Sequence, residues 1–156
     1  MKTLKSAVLV FGLAAILTAG CNKQADTVAA NDAEKNTAGS AEPKFATTFE
    51  GALDEAKKRN TIVMIDFNAT WCGPCKELAK TVFPKPEVSS RLEKMVTVSL
   101  DVDKPEGRDM AQKFGITAIP VCLFLDQNGK ELNRTNGLIP AETFVQAIDK
   151  AMNAKG

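Results

Sequence analysis

An α/β sheet covered by helices on both faces is the fold class this sequence predicts, and three observations predict it. Apolar runs of strand length alternate with segments of helical spacing. The last two strand-like runs are joined by a tight turn. A helix with one apolar face closes the chain. With 156 residues, 44% hydrophobic and 25% charged, the chain has the size and composition of one folded core plus an extension.

The extension comes first. Lys2 and Lys5 precede an uncharged apolar run, Ala7 to Leu17, which ends in small residues before Cys21. The run falls short of the ~20 residues a membrane-spanning helix needs, so residues 1–20 read as a cleaved signal peptide. Leu17-Thr18-Ala19-Gly20-Cys21 resembles the lipobox of bacterial lipoproteins, which implies that Cys21 becomes the lipid-modified first residue and anchors the chain to the membrane. Asn22 after that Cys points, by the same resemblance, to the outer membrane. Within the tether assigned to 21–43, residues 22–43 lack aromatic residues and carry only Val28 as an apolar side chain larger than Ala. Such a segment cannot bury enough surface to order itself, and as a flexible tether it spans about 25 Å.

The folded part is expected over 44–156. Thr47-Thr48-Phe49-Glu50 matches a Ser/Thr-x-x-Glu capping box and predicts a helix over about 48–59, with Phe49, Leu53 and Ala56 on one face. The apolar run from Thr61 to Asn68 predicts a central strand covered on both sides. After Pro74 a helix is expected, interrupted by Pro84 and Pro86 and restarting through Val88 and Leu92. Met95 to Val102 predicts a second strand, and Glu106 to Phe114 a short helix stopped by Gly115. Val121 to Asp126 and Lys130 to Thr135, joined through Gln127-Asn128-Gly129, predict a hairpin. Phe144, Val145, Ile148 and Met152 space one buried face on a helix over about 141–153.

Composition narrows the chemistry. The formal net charge is +1 without a basic stripe, which excludes nucleic acid as a partner. Removing residues 1–20 takes away Lys2 and Lys5 and brings it to −1, so lipid rather than charge would hold the mature chain at a membrane. The chain contains no histidine, which removes His-based acid–base catalysis and His metal ligands. Cys72-Gly73-Pro74-Cys75 lies between the central strand and a helix. That places Cys72 at a helix N-terminus, where unpaired N–H groups and the helix dipole favour a thiolate. Cys72 is therefore the expected nucleophile, exposed and more reactive than the other thiols. Cys75, one turn along and deeper, is the expected resolving thiol. The pair read as half of a zinc site would need two more ligands, and only Cys122 is left in the folded part; no metal is expected. Lys76 replaces the His of a haem attachment motif. Cys122 reads as a small buried core residue.

Ile65-Asp66-Phe67-Asn68-Ala69-Thr70-Trp71-Cys72-Gly73-Pro74-Cys75-Lys76 resembles the active-site segment of thioredoxins. Gly115-Ile116-Thr117-Ala118-Ile119-Pro120 resembles the segment that holds the family's cis-proline. Lys76 through Pro86-Glu87-Val88 is similar to the C-terminal domain of the DsbD family of thiol:disulfide interchange proteins. The resemblance implies a thioredoxin fold, thiol:disulfide exchange without a cofactor, and protein disulfides or dithiols as substrates. It also implies that Asp66 is a buried acid moving protons for Cys75, against its plain reading as a solvent-facing strand-end carboxylate. The lysine that often accompanies this acid falls at Ser99. By the same resemblance Pro120 abuts the cysteines in cis, against the prior for an ordinary trans proline. The Ile119 backbone would pair with substrate, and Trp71, Gly73, Pro74, Ile119 and the loop at Asn136-Gly137-Leu138 would form a shallow apolar platform. Compartment and family together imply a DsbD-type membrane thiol reductase as electron donor, facing the periplasm. Two rivals remain at this point: a disulfide-forming oxidase, and a client-binding lipoprotein that uses the platform without turnover.

Overall fold

The structure, a computed structural model, describes residues 45–155. The signal segment, Cys21 and the tether to residue 43 lie outside the described residues. Five strands form one sheet: β1 (Phe45–Ala46), β2 (Val63–Asn68), β3 (Val96–Asp101), β4 (Val121–Leu125) and β5 (Glu131–Asn136). Five helices accompany them: α1 (Phe49–Arg59), α2 (Gly73–Thr81), α3 (Pro86–Leu92), α4 (Pro105–Lys113) and α5 (Ala141–Ala154). The spatial order is β1-β3-β2-β4-β5, with β2 in the middle. β3 runs parallel to both β1 and β2, while β4 is antiparallel to both β2 and β5.

Every predicted element is present within two residues of its expected ends, and β1 is an addition. Two residues carry no readable periodicity. β1 exists because Phe45 and Ala46 pair with Thr97 and Val98 on β3, and the Phe45 ring packs against Phe83 at 6.4 Å.

The start of α1 corrects the expected capping box. Thr48, not Thr47, is the extended cap residue, and its Oγ1 accepts from the Gly51 N–H at 3.1 Å. The shift leaves Glu50 out of box register. A carboxylate from another element serves a different free N–H at the helix start: Glu106 Oε1 on α4 accepts from the Phe49 N–H at 2.7 Å. α4 in turn sits hard against the end of β3. A Cβ on Gly107 would lie 2.0 Å from the Asp101 carbonyl oxygen, so only glycine fits there.

Because strand side chains alternate, β2 feeds two cores. Val63, Ile65 and Phe67 pack with Phe49, Ala52 and Ala56 of α1, Ala111 of α4 and the facing residues of β3 and β4. Met64 faces the opposite side, with Leu78 of α2, Val88 and Leu92 of α3, and Phe144 and Ile148 of α5. The hairpin turn between β4 and β5 is closed by Asp126, whose Oδ1 accepts from the Asn128 and Lys130 N–H groups at 2.8 and 2.9 Å. Gly129 takes the left-handed φ of 81° this turn requires.

Candidate active site

The end of β2 delivers Ala69, Trp71 and Cys72 directly into the first turn of α2. Cys72 is the cap residue and Pro74 lies in the first turn, where its missing N–H leaves no bond unmade. The two cysteines form a disulfide with Cα atoms 5.3 Å apart. The Cys75 N–H donates to Cys72 Sγ at 3.1 Å. A sulfur at that point meets the positive end of the helix, which stabilises it most when it carries charge.

Exposure does not separate the two thiols in this oxidised state, contrary to the expectation of an exposed Cys72 and a deeper Cys75. Cys72 is 3% and Cys75 7% exposed. The closed disulfide draws both into a small cluster with Ala69, flanked by Val102 and Ile119. What distinguishes Cys72 is its place at the helix start and the N–H it accepts.

Asp66 is buried at 8% exposure, so its reading as a solvent-facing carboxylate is overturned. Burial pushes its carboxyl from 3.8 up to about 6, and the hydrogen bond from Asn68 opposes that rise. Asn68 Nδ2 donates to Asp66 Oδ2 at 3.0 Å, to the Asp66 carbonyl at 3.1 Å and to Ser99 Oγ at 2.7 Å. On the other carboxylate oxygen, the Cys122 thiol lies 4.0 Å away, the outer limit for a sulfur donor. Burial first, and then the adjacent Asp66 charge, push the Cys122 thiol well above 9.0, against a hydrogen bond with Thr135. Cys122 is thus a buried protonated thiol beside the acid.

Asp66 and Cys75 border a common groove of about 210 Å³, with Phe45, Asn68, Lys76, Phe83 and Ser99 among its walls. Sequence reasoning missed Asn68 and the Asp66–Cys122 approach. The first was legible in principle, since residues 66 and 68 share a strand face. The second needed the register Asp66↔Cys122, which only the sheet order supplies.

The expected platform divides. Trp71 is 67% exposed, held by its Nε1 donating to Asp103 Oδ2 at 2.8 Å, and it shares a groove with Val102, Ala111 and the 116–119 loop. Ile119, Pro120 and Gly137 line a second groove that also includes Arg134 and Asn136, so it is not purely apolar. The Ile119–Pro120 bond is cis, and the Pro120 carbonyl accepts from the Gly137 N–H at 2.8 Å. Leu138 belongs to a third groove, with Glu77, Lys85 and Ile139. Gly73 and Pro74 are exposed and line none of these three. Among the described residues, no cluster of three or more His, Cys, Asp or Glu side chains could hold a metal ion. No helix among them is long and apolar enough to cross a membrane.

Known proteins share this fold. The family model for the thioredoxin-like domain matches residues 49–152. The thiol:disulfide interchange protein DsbD of Pseudomonas fluorescens is 31% identical over 135 residues, which cover 84% of this chain but 22% of that protein. The chain thus spans about a fifth of that relative's length. A thioredoxin of Echinococcus granulosus is 42% identical over 87 residues, covering 55% of this chain and 75% of its own. The solution structure of a thioredoxin from Thermus thermophilus superposes with a TM-score of 0.67 at 26% identity, covering 73% of this chain and 91% of that one.

Proposed function

Because this chain belongs to the thioredoxin-like family of disulfide oxidoreductases, we propose that it reduces protein disulfides in the bacterial cell envelope through the Cys72/Cys75 dithiol. The observation that carries this is the disulfide at the start of α2 with a buried acid sharing its groove. In the reduced enzyme, Cys72 thiolate attacks a substrate disulfide, forming a mixed disulfide and expelling one substrate thiolate. Cys75 then loses its proton to the Asp66 carboxylate and attacks Cys72 Sγ. The Cys72–Cys75 disulfide closes and the second substrate thiolate leaves. Two electrons pass from the dithiol to the substrate, and the oxidised enzyme awaits a dithiol donor.

Asp66 suits the proton step. With a carboxyl at about 6 it is mostly ionised at neutral pH yet basic enough to take a thiol proton. Client polypeptide would lie across Trp71 and the Ile119 backbone, beside the exposed Gly73 and Pro74. The donor fits a membrane thiol reductase of the DsbD type. Lipidation at Cys21 would hold the domain at the membrane, facing the periplasm, with 1–20 removed.

Direction is tested by the reduction potential. Gly73 and Pro74 offer no side-chain hydrogen bond to the Cys72 thiolate, so a value near the reducing end of the fold family, about −270 mV, is expected. Equilibration with glutathione, read by the fluorescence of Trp71, gives the number. A value near the oxidising end, about −120 mV, reverses the direction and makes the protein a disulfide-forming oxidase. Insulin-reduction turnover separates either enzyme from a client-binding module. For the anchor, Cys21→Ser should release the protein into the soluble envelope fraction, and a variant still bound and unprocessed would overturn lipidation.

A further inference from the structure

Asp66 carries a full negative charge in the proton step, yet it is buried and, among the described residues, no cation pairs with it. From α2 the same groove presents Cys75 and the exposed Lys76, from β3 Ser99, and from β4 the Cys122 thiol lies against the acid. Thr135 on β5 stands behind Cys122 in register. Among the described residues Lys76 is the only cation lining the groove, and it makes no ion pair with Asp66. The position across the sheet from Asp66, where the resemblance places a lysine, is Ser99, and the strand register confirms the pairing Asp66↔Ser99.

The side chains within hydrogen-bond reach of the Asp66 carboxylate are the neutral Asn68 and Cys122. Asn68 shares the strand face of Asp66, and its amide has two hydrogens. One points at Ser99 Oγ, 2.7 Å away, and the other is shared between the Asp66 carbonyl and Oδ2 at 3.1 and 3.0 Å. The Asp66 carbonyl and an ionised carboxylate only accept, so the amide nitrogen has to face them. Ser99 fixes the amide plane from the next strand. Asn68 is only half-buried, at the very end of β2, where its side chain adds little to the core.

We propose that Asn68, anchored by Ser99, is a positioning residue for Asp66, clamping the carboxylate so that it stays ionised at neutral pH. The inference deepens the proposed reductase reading, on which the use of Asp66 by Cys75 rests, but the clamp is measurable without turnover.

The test follows the carboxyl carbon of Asp66 by ¹³C NMR against pH in the oxidised full chain, with Asp66→Asn assigning the signal. Removing a hydrogen bond to the charged form raises its pKa. In Asn68→Ala the titration midpoint should rise by about one pH unit, the equivalent of one hydrogen bond of about 1.4 kcal/mol. Ser99→Ala should move it the same way by less, because the amide loses its anchor but not its reach. A role confined to folding would lower the melting temperature and leave the midpoint in place. An unmoved midpoint in Asn68→Ala, with the fold intact, overturns the proposal, as does a larger shift in Ser99→Ala than in Asn68→Ala. Insulin reduction by the wild type is read alongside. Turnover with an unmoved midpoint sinks the clamp and spares the function, whereas a shifted midpoint without turnover sinks the function and spares the clamp.

Discussion

The two faces of β2 take three residues each from one six-residue strand and obey opposite rules. Val63, Ile65 and Phe67 are fully buried in a wholly apolar core under α1 and α4. Met64 begins the other face in the same manner, but Asp66 and Asn68 turn its end into a polar site beneath the disulfide. The first face stabilises the fold. The second gives up stability where the chemistry needs a charge, since a buried carboxylate is costly unless protonated.

The largest effect expected from this contrast is on the apolar face. Phe67→Ala should destabilise the oxidised protein by about 3–5 kcal/mol in denaturant unfolding, with no change in the Asp66 titration. A shift in that titration would mean the two faces are coupled through the strand.

On the polar face the sign reverses. Asp66 has a folded-state value of about 6 against an ordinary 3.8, so between those values the native state binds more protons than the unfolded one. Stability should therefore fall as pH rises from about 4 to about 6 and level off above. Asp66→Asn should abolish this slope and raise stability at pH 7 by about 3 kcal/mol, while slowing release of the mixed disulfide. A destabilised Asp66→Asn protein at pH 7 would show that the acid is a structural element rather than a cost.

A smaller effect is expected at the cap of α1. Thr48→Ala removes the Oγ1 acceptor for Gly51 and should cost about 1 kcal/mol, again without altering exchange kinetics. Smallest of all is the response of Cys122. Buried and protonated against Asp66, it should stay unlabelled when the reduced native protein is alkylated at neutral pH, while Cys72 reacts first. Rapid labelling of Cys122 would place a third reactive thiol on the polar face.

Much of the fold was legible because its signals are local. The Cys-Gly-Pro-Cys turn, the apolar run of β2, the Gly115 stop with its φ of 64°, and the Asn128-Gly129 hairpin each state their conformation within a few residues. β1 was not legible, because two residues have no period and owe their conformation to β3. The capping box was misplaced by one residue, and the carboxylate that does bind a free N–H at the start of α1 is Glu106, 57 residues from Phe49.

For the candidate site, the local sequence determined which atoms can react and where the helix dipole meets them: two thiols three residues apart at the start of α2. Tertiary structure alone decided how those atoms are surrounded. Pairing β2 with β3 set Ser99 across from Asp66, and pairing it with β4 brought Cys122 against the same carboxylate. Reactivity at a helix terminus depends on near neighbours in the chain, whereas the proton affinity of a buried acid depends on every strand packed around it.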